Sequence, residues 1–156
     1  MRLGFLLFLI IGCITFQSFQ CNKEVVKEDF GQSLYECHNK SGWDSISISK
    51  ALIGKWTWKR TVCPRTKGGS STDETTNSGV AFQFNTDGTL FEMLNNVKVK
   101  EYTYTINNNF GGYWGLETTP FRDLLYGRML ICNDIGQLDI GTSIVDGCDY
   151  RYKKMD

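Results

Sequence analysis

One histidine, two prolines and no surplus of either charge sign mark this 156-residue chain, and each shortage removes a class of function. His38 has no second histidine to work with, so neither a catalytic triad inside the fold nor a histidine-rich metal centre is expected. Seventeen basic residues balance seventeen acidic ones, which leaves no field to draw the chain onto a phosphate backbone. Nucleic acid is therefore excluded as an expected partner. Patterns of the G-x-S-x-G, H-E-x-x-H and P-loop types are missing. No C-x-x-C pair occurs among the six cysteines, so zinc is not expected either. Few prolines, with 13 percent aromatic against 22 percent charged residues, argue for a packed core over a disordered stalk.

The acidic residues near the C-terminus suggest no better site. Asp134, Asp139, Asp146 and Asp149 do not fall at the fixed positions of an EF-hand loop. Asp146 and Asp149 flank Gly147 and read as turn formers, and no spacing commends a paired-carboxylate hydrolase. The chain is thus expected to be a non-enzyme with no metal and no cofactor.

What the chain does have begins at its N-terminus. Arg2 opens a Leu/Ile/Phe run to Phe16 that has the charged start and apolar middle of a secretory signal. The run is shorter than the about 20 residues a spanning helix needs. Cys21 follows this leader and precedes the polar Asn22, Lys23 and Glu24, a junction that suggests lipid attachment to its sulfur. Cys13, after Ile10, Ile11 and Gly12, is the competing acceptor, and cleavage after Ser18 or Gln20 to a freely secreted domain is the third outcome. The expected organisation is a signal peptide over 1–20, a tether over 21–36 and one domain over 37–156. Localisation follows: exported, in the cell envelope, anchored by lipid or else soluble. The remaining cysteines, Cys37, Cys63, Cys132 and Cys148, are even in number and suit two disulfides in an oxidising compartment. Asn39, Lys40 and Ser41 spell an N-glycosylation acceptor whose use depends on the source.

Asp44 caps an expected short helix through Ile53, with Ile48 and Leu52 on one face and Gly54 as its stop. From Gly54 the period changes to two: Trp56, Trp58 and Val62 alternate with Lys55, Thr57, Lys59 and Thr61. Val80 to Phe84 and Leu90 to Leu94 flank an Asp87-Gly88 turn, a hairpin signal. Further strands are expected over 97–106, 113–117, 124–132, 137–144 and 148–153. Asn107 to Asn109 with Gly111 and Gly112, Asn133 to Gly136, and Asp146-Gly147 serve as turns, and Pro64 to Ser78 as the one long loop. A meander of eight strands closes most economically into an all-β, antiparallel up-and-down barrel, here preceded by a short helix.

Four blocks carry a resemblance: Gly54-Lys55-Trp56, Phe84 to Leu90, Leu125 to Cys132, and Val145 to Tyr150. Taken in order over residues 37–154, they resemble the small lipocalin-like lipoproteins of Gram-negative bacteria. The resemblance implies a barrel entered at Gly54 and closed at one end by Trp56, with a basic residue of the last strand, Arg151, stacked on the indole. It further implies a small hydrophobic ligand, with Trp56, Trp58, Phe82, Phe84, Phe91, Tyr102, Tyr104, Trp114 and Tyr126 as lining candidates, and a monomer. The competing reading of these aromatics is a filled core, and with it a scaffold or interaction module of the cell envelope. In such a barrel the end of the first strand meets the start of the last, which favours Cys63 with Cys148 and leaves Cys37 for Cys132. All three connectivities remain open from sequence.

Overall fold

The computed structural model describes residues 31–63, 77–142 and 147–155. The leader, Cys21 and the segment up to residue 30 lie outside the described residues, as do residues 64–76 of the long loop. Two helices, α1 (Gln32–Lys40) and α2 (Ser45–Leu52), precede eight strands. These are β1 (Gly54–Val62), β2 (Val80–Phe84), β3 (Thr89–Leu94), β4 (Val97–Phe110), β5 (Tyr113–Thr119), β6 (Gly127–Cys132), β7 (Gln137–Gly141) and β8 (Asp149–Lys154). Each strand pairs antiparallel with the next, and β8 pairs with β1, so the sheet is a closed up-and-down barrel. The disulfides join Cys37 to Cys132 and Cys63 to Cys148.

Local chemistry explains most boundaries. Asp44 accepts from the Ser47 amide at 2.7 Å while the Ser47 hydroxyl accepts from the Asp44 amide, a reciprocal cap that starts α2. Gly54 ends the helix and begins β1 at φ +121°, a backbone angle that side chains other than glycine resist. At the β2–β3 turn Asp87 accepts from the Thr89 amide and hydroxyl, and Gly88 supplies a positive φ. These hydrogen bonds hold the Asp87 carboxyl below its ordinary range.

Several expectations need correction. The stretch read as tether ends sooner, because Gln32 to Glu36 are helical and Leu34 is buried. No strong apolar period announces α1; its contacts with β6 and the Cys37–Cys132 bridge hold it in place. Along β1 the register shifts between Trp58 and Arg60, so Thr61, at 3 % exposure, takes the inward place expected of Val62. β4 runs on through Asn107 to Asn109 and turns at Gly111 and Gly112, both at positive φ. The strand expected from Leu124 begins instead at Gly127. Asp123–Leu125 forms a 3-10 turn that buries Leu124 and Leu125, and Tyr152 donates to the Leu124 carbonyl.

Trp56, Phe82, Phe84, Leu90, Leu116, Met129, Ile131, Leu138, Ile140 and Tyr152 meet in the barrel, all at 0 % exposure. At the end where β1 starts, Ile48 and Leu52 of α2 join this core and close it. At the opposite end the Asp123–Leu125 turn does the same.

Candidate functional site

The nine aromatic candidates divide by the face they occupy. Trp56, Trp58, Phe82, Phe84 and Tyr102 are buried in the lumen, and Tyr104 and Trp114 pack half-buried against that core. Phe91 does not line the lumen: it lies between inward Leu90 and Glu92 on β3 and points out beneath the Lys98 ammonium, 3.5 Å from its ring centre. Tyr126 is also external, 5.5 Å from Phe110 and 5.4 Å from Phe121, ring centre to ring centre. A ring with no accessible area has no water-sized void beside it, so the lumen around Trp56, Phe82, Phe84 and Tyr152 is filled by the protein's own side chains.

Trp56 closes the helical end as its place in the sequence suggests, donating from its indole to the Leu52 carbonyl at 2.7 Å. The cation above it is Lys154, 5.1 Å from the ring centre, and not Arg151. Inward Tyr150 and Tyr152 flank Arg151, which therefore points outward and meets Asp139 at 3.0 Å. Lys154 is opposite Trp56 in register, donates to the Ala51 carbonyl at 3.1 Å, and has its pKa lowered by burial.

The half of the lumen away from the helices is polar, which the sequence reading missed. Glu92 faces inward and accepts from the Tyr102 hydroxyl at 2.5 Å and from Arg122 at 2.7 Å. Burial, with the Glu92 hydrogen bond and charge behind it, pushes the Tyr102 hydroxyl up to about 12. Asp123 accepts from Tyr150 nearby. Trp58, Thr61 and Thr118 each keep a buried polar atom without a protein partner in this lumen. The signal for Glu92 was present: period two from Leu90 places it on the inner face. An open groove of about 540 Å³ leads to this cluster past Lys100, Phe121 and Asp123.

A second groove of about 260 Å³ lies at the helical end, against His38, Trp43, Tyr113 and Trp114. Its geometry follows from a gap in the sheet. β5 and β6 pair only at Gly115 with Arg128 and Leu116 with Gly127, so the Ile131 amide has no β5 partner. It meets His38 Nδ1 at 3.1 Å, and the same nitrogen lies 3.2 Å from the Ile131 carbonyl, so the imidazole docks on the backbone of Ile131. Burial lowers the His38 pKa, opposed by its bond to the Ile131 backbone, so the ring is neutral at pH 7. Trp43 stacks on it at 5.5 Å and donates to the His38 carbonyl at 2.8 Å, and Trp114 donates to the Trp43 carbonyl at 3.2 Å.

The chain matches no family model, no curated protein and no solved structure. Among the described residues no cluster of three or more His, Cys, Asp or Glu could hold a metal ion, and no helix is long and apolar enough to cross a membrane. Two disulfides place the domain in a non-cytoplasmic, oxidising setting.

Proposed function

We propose that this protein is an exported, non-enzymatic module of the cell envelope, tethered by lipid on Cys21, that acts through its outer surface while its barrel serves as a filled frame. The observation that carries this reading is the absence of accessible area on the lumen side chains Trp56, Phe82, Phe84 and Tyr152. An apolar ligand of the kind that fills a preformed cavity would have to displace them. It would also lie against Thr61 and Thr118, whose hydroxyls a hydrocarbon chain leaves unpaired. Outside, Val97, Val99 and Phe121 are each more than half exposed at the end of the barrel away from the helices. Exposed apolar side chains gathered in one region suit contact with another molecule.

A single preparation from an exporting host tests both halves. Intact mass is expected to show a mature chain that begins at a lipid-modified Cys21; an unmodified start removes the anchor. The same sample is then titrated with a fatty acid and a hydrophobic dye while tryptophan emission is followed. No saturable change is expected. Saturable one-to-one quenching would return the lumen to the role of ligand site and overturn the filled-frame reading.

A further inference from the structure

We propose that the groove at the helical end is a binding site for an uncharged saccharide. This rests on the reading that the protein acts through its surface, and it names the chemistry of one partner. His38, Asn39, Trp43, Tyr113 and Trp114 supply the groove's side chains, and none carries a charge at neutral pH once His38 is neutral. Arg128, 5.7 Å from the Tyr113 ring, is held by Asp149 at 3.6 Å. A groove without charge offers an ionic ligand nothing to offset its desolvation.

Both indole donors are engaged inside the protein, Trp43 with the His38 carbonyl and Trp114 with the Trp43 carbonyl. Those bonds set the ring orientations, so what the indoles offer a ligand is flat apolar surface, suited to the C–H face of a sugar ring. The polar groups complete the set. The Asn39 amide and the Tyr113 hydroxyl have no hydrogen-bond partner among the described residues, and both belong to groove-lining residues. An amide and a hydroxyl beside aromatic walls match a molecule that is apolar on its faces and hydroxylated around its edge. Size agrees: about 260 Å³ is below the roughly 300 to 1,000 Å³ of drug-sized sites and suits a ring or two. An extended proline-rich peptide also uses aromatic grooves. Such a peptide extends about 3.1 Å per residue and needs room for several residues, whereas about 260 Å³ suits a compact ring.

Nitrogen-15 spectra of the full domain, recorded with maltose, cellobiose and chitobiose at about 10 mM to reach millimolar affinities, test the site. At least one sugar is expected to move the Trp43 and Trp114 indole resonances in a saturable way while those of Trp56 and Trp58 stay in place. Asn39→Ala and Tyr113→Phe each remove a group with no partner in the fold. Each is expected to weaken binding about fivefold, as one lost hydrogen bond does. Tyr126→Phe, on another face, is expected to leave it unchanged. Silence with all three sugars, binding unchanged in both groove variants, or saturable shifts with oligoproline in place of sugar overturns the saccharide site and leaves the filled-frame reading standing. Shifts at Trp56 and Trp58 overturn both.

Discussion

Asp139 lies between the inward residues Leu138 and Ile140 on β7, so it points out of the barrel, yet it is only 3 % exposed. Burial and the neighbouring Asp149 carboxylate push its pKa up to about 6, against the pull of Arg151. The folded state therefore holds this proton more tightly than the unfolded chain does, with its ordinary value of 3.8. The stability it contributes is full below pH 3.8 and is lost as pH rises through about 6, a change of about 3 kcal/mol for a two-unit shift. His38 acts in the opposite sense. Its lowered pKa contributes stability that is present above 6.5 and lost as pH falls, so the two partly cancel in the native protein. Comparison with Asp139→Asn separates them. Denaturant unfolding at pH 4, 5, 6 and 7 should show the variant gaining on the native protein as pH rises. A constant gap between the two across that range would sink the assignment. The same alternation that turns Asp139 outward was legible for β8: Tyr150, Tyr152 and Lys154 share a face, so Lys154 and not Arg151 is the cation that reaches Trp56.

At the scale of elements, β4 is the strand whose pattern said most and misled most. Its start at Val97 was legible from alternation, but Asn107, Asn108 and Asn109 have the composition of a turn. The structure absorbs them as an irregularity: the register with β5 shifts between Asn107 and Phe110, and Asn107 accepts from the Asn109 amide at 3.1 Å. That compensation involves a partner strand, which single-sequence periodicity does not contain. α1 was hidden for the same reason, since Leu34 and His38 acquire their meaning only against β6. The other end of β4 carries a liability. Pairing with β5 begins at Thr103, so Val97 to Tyr102 have β3 on one side and no strand on the other among the described residues. A free edge invites pairing with another chain, and lysines together with irregular register are ways to discourage it. Lys98 and Lys100 stand on this edge, and the register with β3 shifts between Glu92 and Met93 beside them. Replacing both lysines by threonine should raise self-association as protein concentration increases, read by sedimentation velocity. Unchanged sedimentation over the same range would mean the lysines do not guard the edge.

At the scale of the whole molecule, closure was legible because strand count and turn spacing left few alternatives, and the cysteines then fell at complementary places. Cys63 directly follows β1 and Cys148 directly precedes β8, so their bridge sits at the end of the seam where the sheet closes on itself. Cys37 to Cys132 joins α1 to the last residue of β6, next to the Ile131 amide that His38 caps. The two loops span 85 and 95 residues, and restriction of the unfolded chain makes each bridge worth about 4 to 5 kcal/mol. Their losses should nevertheless differ in kind. Without the Cys37–Cys132 bridge, α1 has few contacts besides Leu34 and His38, and a nine-residue helix is too short to persist alone. The Cys37→Ser, Cys132→Ser double variant should therefore release the helix and the His38 cap while β1 to β8 stay paired. Hydrogen exchange should quicken at Ile131 and remain slow at Leu138 and Tyr152. The Cys63→Ser, Cys148→Ser variant opens the seam itself, so protection should fall across all eight strands together. Equal loss of protection throughout in both variants would show that helix and barrel fold as one cooperative unit, with no separable lid at the helical end.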